Sequence, residues 1–435
     1  MPRSRRVVIT GANVICPLGC NRNALWEALV EGRSGVKLLA SVPPDHLPSK
    51  VGGEARDFTG DIEQFGPLEK TLKRSIKKGC KMMCREIQMG VAAAQLAMQD
   101  ANLESGGYEP DRTGVVFGSD YIMTVPEEFT DGIRQCVDEQ KEFHFEKWAE
   151  NGLPKVDPLW LLKFLPNMPA SHIAIYNDMR GPNNSLTLRE ASANLAIGEA
   201  FETIVRGSAD RMIAGATGSR VHPLRTVHVM LQEELTDCDE PEKACRPFDK
   251  NRTGAVIGEG AAAVILEDLE SARKRGATIL GEIVAWGSST VTGRDGVGRC
   301  DVAIKNVLIQ ALQSAGLQPG DIGHVHAHGL ATRKCDAEDA RGIHEVFADV
   351  AVPVTAAKSY FGNLGAGGGV VETIASVMAM NHGTLFPTLN YETPDEDCPV
   401  SVVTSTDHPA GDCFINLNVT PQGQASSLLV KRFDG

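Results

Sequence analysis

The feature that most limits the fold is a repeated alternation of short apolar runs with longer helix-patterned stretches. RRVVITG and TGVVFGS read as buried strands that stop at glycine, and DRMIAGA and AAAVILE read as strands of the same kind. Between them ALWEALVEG, IQMGVAAAQLAMQDANL and LAIGEAFETIVRG carry helical spacing. Strands and helices taking turns predict an α/β protein with helices packed on sheets. At 435 residues the chain suits one large domain or two fused units.

The chain also resembles itself weakly. Ala196-Ile197-Gly198-Glu199-Ala200-Phe201-Glu202-Thr203-Ile204 runs toward a turn at Gly207, and Gly369-Val370-Val371-Glu372-Thr373-Ile374 opens a similar helix ending near Gly383. Two βα-rich halves meeting near residue 255, 1–255 and 256–435, would explain this. Residues 120–169 depart from the pattern, with aromatics, charges and prolines but no clear strand. They read as an insertion that caps a site or a dimer surface.

Composition narrows the setting. The net charge of −13 argues against general nucleic-acid binding. No apolar run reaches the ~18 residues a membrane span needs. The basic start MPRSRR leads into a first strand and not a signal segment, so a cytoplasmic protein is expected. The eleven cysteines are scattered and odd in number, which points to free thiols. One segment breaks the acidic balance: Lys70, Lys73, Arg74, Lys77, Lys78, Lys81 and Arg85 follow one another with no acid among them. Such a helix is either a solvated face or a dock for an acidic partner.

Three places offer chemistry. SLTLREASANLAIGEAF runs from an alternating strand through a sharp turn into a helix, and places Glu190 at the turn with Ser192 just beyond. A helix start favours negative charge and can activate a nucleophile. On spacing alone, the simpler reading is a helix-start carboxylate. His324, His326 and His328 alternate, so on a strand they would share one face. A lone functional His328 at the strand's end is expected before a metal site. The glycine-rich run Lys358 to Gly369 lacks the ending of a phosphate loop, and close backbone packing explains it better.

Taken together, these segments resemble the β-ketoacyl-acyl-carrier-protein synthases of the elongating type. VVITGANVICPLG, LPNMPASHIAIYNDMRGP, RPFDKNRTGAVIGEGAAAVILEDLESARKRGA, HAHGLAT, KSYFGNLGAGGG and FPTLNYETPDEDC follow in the family's order over nearly the whole length. The resemblance implies a thiolase-like fold of two similar halves in a layered αβαβα arrangement, and a dimer. It also implies a mechanism. A cysteine at the elbow takes an acyl group from a carrier protein's phosphopantetheine, two histidines assist malonyl decarboxylation, and two backbone N–H groups hold the thioester oxygen.

Carried over residue by residue, the resemblance fails at several steps. The cysteine position falls on Glu190, and the first histidine matches His328. The second histidine falls on Asn363, and a related ketosynthase branch uses a His/Asn pair. On the pantetheine side Leu330 replaces one threonine and Thr332 keeps the other. The gating phenylalanine, whose N–H is the second oxyanion donor, falls on Pro421, which has no N–H. Lys358, Asp336 and Asp339 survive as a charged support set, the last in place of a glutamate. No metal and no bound cofactor are implied.

The expectation is a condensation-incompetent ketosynthase homologue of fatty acid or polyketide biosynthesis. It would act as a chain-length-factor-like partner of an active ketosynthase, or pair with itself. Lys70, Lys73, Arg74, Lys77 and Lys78 are then candidates for docking an acyl carrier protein. Two alternatives remain open. One is a malonyl-carrier decarboxylase or acyl thioesterase that uses Glu190, protonated in the first case, with His328. The other is a 3-oxoacyl-carrier-protein synthase with a non-standard active site.

Overall fold

A computed structural model describes residues 5–42, 47, 49–103 and 107–435. The first four residues of the basic start lie outside the described residues. Eleven strands form one path in the order Ser401–Val402, Pro353–Thr355, His324–His326, Cys413–Val419, Gln424–Lys431, Gly281–Thr290, Val7–Ile15, Ile257–Asp268, Arg211–Ser219, Thr113–Ser119, Asn183–Thr187.

The path is two copies of one pattern. In the first half, Thr113–Ser119 pairs in parallel with Asn183–Thr187 and Arg211–Ser219, after which Ile257–Asp268 and Val7–Ile15 continue antiparallel. In the second half, His324–His326 pairs in parallel with Pro353–Thr355 and Cys413–Val419, and Gln424–Lys431 and Gly281–Thr290 continue antiparallel. The half-sheets join where Val7–Ile9 meets Gly281–Ile283.

This pairing corrects the division expected near residue 255. Ile257–Asp268 is the antiparallel strand held between Val7–Ile15 and Arg211–Ser219, so it closes the first half. The halves meet after it, between the helix Leu269–Lys274 and the strand at Gly281.

Helices form three layers around the half-sheets. Ser192–Val205 and Gly368–His382 lie between them, apolar nearly all round, and share one core with residues of both halves. Arg85–Asp100 and Met168–Tyr176 cover the outer face of the first half. Cys300–Ala315 and Arg333–Phe347 cover the second. With both faces covered, the central strands Val7–Ile15, Thr113–Ser119 and Ile257–Asp268 are buried almost throughout. At Gly11 the first strand bulges, and a Cβ there would meet Ala97 O of the covering helix at 2.6 Å, so only glycine lets the helix sit so close.

Residues 120–169 hold the helix Glu127–Arg134, several single turns and the start of Met168–Tyr176. Trp160 packs edge-on against Phe129 at 4.9 Å between ring centroids, while Phe145 (74% exposed), Leu153, Leu159 and Leu161 face outward. The segment is a small aromatic cluster whose outer surface mixes these apolar side chains with exposed charges such as Lys141, Glu142, Glu146 and Lys147.

Candidate functional site

The elbow forms as its sequence predicts. Strand Asn183–Thr187 ends, Arg189 takes the left-handed conformation (φ 53°), and Ser192–Val205 begins two residues after Glu190. A non-glycine residue held there stores about 1–3 kcal/mol of strain, so the surroundings must brace it. Ser192 does part of this: its Oγ accepts from Leu188 N at 2.8 Å and donates to Ser119 O at 3.2 Å. Ser192 is therefore a strut of the turn.

Glu190 is 2% exposed. Its Oε1 accepts a hydrogen bond from Arg220 Nη2, and from Asn363 Nδ2 at 3.1 Å. Arg189 Nε stands 3.4 Å from Oε2. Burial alone would push this carboxyl up, but the Arg220 and Arg189 guanidinium groups overcome it and hold the group well below the usual carboxylate range. The leading reading has Glu190 as a carboxylate, and the lowered value counts against the protonated form that only the decarboxylase alternative needs. Its charge is held by guanidinium groups rather than by the helix start, because direct contact outweighs a helix-terminus effect of about 0.3–1 kcal/mol.

The partners of Glu190 come from distant segments. Arg220 follows strand Arg211–Ser219 and is 1% exposed. Its Nη1 reaches Glu233 Oε1 at 3.2 Å, and Glu233 also pairs with Arg189. Asn363 is fixed by its backbone, with N donating to Val256 O at 2.7 Å, and its Oδ1 accepts from Gly365 N at 3.0 Å. Sequence reasoning missed Arg220 and Glu233. The only signal was an arginine directly after a fully buried strand.

His328 lies just past strand His324–His326 and is buried. The Lys358 ammonium donates to its carbonyl at 2.8 Å, to its Nδ1 at 3.3 Å and to Glu372 Oε1 at 2.5 Å. Glu372 Oε2 in turn accepts from Asn418 Nδ2 at 2.7 Å. Donation to Nδ1 leaves the ring proton on Nε2. Burial and the Lys358 charge push His328 well below its ordinary value, against the pull of Glu190, so the ring is neutral.

The other two histidines belong to the core. His324 Nδ1 donates to Ala410 O at 2.8 Å, and its Nε2 accepts from Ser376 Oγ at 3.0 Å. His326 Nδ1 donates to the same hydroxyl at 2.9 Å, and its Nε2 accepts from Ala357 N at 3.1 Å. All four ring nitrogens are used inside the protein. Among the described residues no group of three or more His, Cys, Asp or Glu is arranged to hold a metal ion.

His328, Leu330, Thr332 and Pro421 line one cavity of about 290 Å³, with Gln232, Glu233, Glu234, Cys300, Lys334, Cys335, Glu338 and Val419. Asp336 holds its rim by accepting from Leu330 N and Ala331 N at 2.8 and 3.0 Å, while Asp339 accepts from Gly329 N at 2.9 Å. Burial pushes these carboxyls up, to about 6 and about 7. Thr332 Oγ1 caps helix Arg333–Phe347 by accepting from Cys335 N at 3.3 Å.

Pro421 sits in the hairpin between Cys413–Val419 and Gln424–Lys431. Gly423 N donates to Thr420 O at 3.0 Å and Gly423 is left-handed (φ 83°), so Thr420-Pro421-Gln422-Gly423 is a tight turn with proline at its second position.

The basic helix Lys70–Gly79 is separate and lines none of this cavity. Lys70, Arg74, Lys77 and Lys78 are exposed, and only Ile76 is buried on the helix. Lys73 pairs with Glu63 at 2.5 Å. Arg85 is structural, tied to Glu259 at 2.7 Å.

Residues 4–272 match the family described as "Beta-ketoacyl synthase, N-terminal domain", and residues 277–392 match "Beta-ketoacyl synthase, C-terminal domain". A 3-oxoacyl-[acyl-carrier-protein] synthase 2 of Coxiella burnetii is 34% identical over 92% of this chain and 91% of its own length. Among solved structures, the ishigamide ketosynthase/chain length factor superposes with a TM-score of 0.83 at 25% identity, over 99% of each chain. A β-ketoacyl synthase from Burkholderia phymatum gives 0.83 at 26% identity, over 99% of this chain and 100% of its own.

Proposed function

The chain belongs to the β-ketoacyl synthase family, and from that premise we propose that it is a condensation-incompetent member serving fatty acid or polyketide biosynthesis. It acts as a chain-length-factor-like partner of an active ketosynthase or as a homodimer. One observation carries this reading: the residue at the elbow is a buried glutamate whose carboxylate is held ionised by Arg220. An ionised carboxylate gripped by a guanidinium is neither a thiol-like acyl acceptor nor a free base. Pro421 adds to it, since the tight turn at 420–423 offers no N–H at that residue.

Phosphopantetheine on an acyl carrier protein is the implied ligand. The cavity at Leu330, Thr332 and Pro421 is the proposed seat of its arm, and Lys70, Lys73, Arg74, Lys77 and Lys78 are its proposed dock. The exposed apolar side chains of residues 120–169, Phe145, Leu153, Leu159 and Leu161 among them, support pairing with a second ketosynthase-fold chain. Decarboxylation through a protonated Glu190 is disfavoured because the ion pair keeps the proton off, and hydrolysis with Glu190 as base is disfavoured because the same guanidinium groups take away its basicity. No observation at the site favours condensation with a non-standard active site.

The decisive experiment incubates purified protein with an acyl-loaded and a malonyl-loaded carrier and follows the carriers by mass spectrometry. No elongated product is expected, together with co-purification of an active ketosynthase or self-association. Elongation by the purified protein overturns the reading.

A further inference from the structure

The cavity stops short of the elbow. His328 and Glu233 are in its lining, but Glu190, Arg220 and Asn363 are not. Glu233 stands between the two. It comes from a turn whose neighbours Gln232 and Glu234 are exposed, yet its own side chain is 3% exposed. Its Oε1 takes both guanidinium groups, Arg189 Nη2 and Arg220 Nη1. Gln232 Oε1 takes the other Arg189 nitrogen, Nη1, at 2.6 Å. On the far side Asp120 lies against Gly365, where an added Cβ would meet its Oδ2 at 2.5 Å, and the Asp120 charge also acts on Arg220. Asp120 is itself pinned by Arg225 Nη2 at 2.6 Å.

We propose that Arg189, Arg220 and Glu233 form a closed gate between the cavity and position 190. An arm entering the cavity stops at His328 and never touches residue 190. The closure belongs to the ion-paired side chains and not to the identity of the elbow residue, so restoring a thiol at the elbow does not by itself restore access. The nature of the arm rests on the function proposed above, whereas the gate rests on the ion pairs alone.

The test compares Glu190→Cys with the double variant Glu190→Cys/Arg220→Met, using iodoacetamide as a small neutral probe. Alkylation is read on the peptide containing position 190, which keeps the eleven native cysteines out of the measurement. In the single variant the two guanidinium groups favour the reactive thiolate, so slow alkylation there reports access and not chemistry. The double variant loses that activation but keeps a balanced Arg189–Glu233 pair. The expected result is alkylation at least tenfold faster in the double variant. Equal rates in the two variants overturn the gate. Should the double variant not fold, the single variant against its urea-unfolded form decides: a rate near the unfolded one overturns the proposal, and a hundredfold lower rate supports it. Failure of a pantetheine-bearing carrier to bind would instead count against the proposed function and leave the alkylation result as it stands.

Discussion

Arg220 and Glu190, thirty positions apart in the chain, meet as an ion pair in which the two side chains are 1% and 2% exposed. The pair ties the end of a central strand to the elbow. It fixes the charge of the residue that stands at the elbow.

Removing one partner of a buried pair strands the other, at about 3–5 kcal/mol. Arg220→Ala is therefore expected to lower unfolding stability by that order in urea titrations at neutral pH. The pair also has an acid signature. Glu190 has a folded pKa below its unfolded value of about 4.3, so its stabilisation is present above that pH and is lost as pH falls toward the folded value. Arg220→Ala should show a shallower loss of stability below about pH 4 than the native protein.

Asp339 works in the opposite direction. Burial raises its carboxyl to about 7. The folded state then keeps a proton that the unfolded state releases above about pH 4. Stability declines as pH rises from there, and the decline levels off above about 7. Asp339→Asn keeps an acceptor for Gly329 N and should flatten that decline in melting temperatures measured from pH 4 to 8. An unchanged slope would show that Asp339 is not the group responsible.

The basic helix yields a prediction independent of the elbow. Charge reversal at Arg74, Lys77 and Lys78, all exposed, should leave the melting temperature within a few degrees of native. The same change should weaken binding of an acidic carrier protein at least tenfold at low salt, with the difference shrinking as salt rises. Calorimetric titration at two ionic strengths measures both effects.

Much of the fold could be read along the chain, because its signals are local. Apolar runs such as Val7–Ile15 carry their own strand preference, and the helix after Glu190 follows from spacing. The weak internal repeat cannot place the boundary between the halves, because the strand Ile257–Asp268 belongs by pairing to partners far earlier in the chain. His324 and His326 could not be assigned by alternation alone. Their fate depends on Ser376, which a separate helix delivers between them.

The elbow shows the same division. The order of its parts, and the presence of a carboxylate where the family resemblance calls for a thiol, are properties of the sequence alone. Whether that carboxylate is protonated or ionised, free or locked, was decided only by the tertiary structure. Charge state depends on what lies within a few ångströms: Arg220 and Asn363 reach Glu190, and Glu233 braces Arg220, from three segments with no periodic relation to it. Periodicity states which way a side chain faces, and the packing of the halves states what it meets.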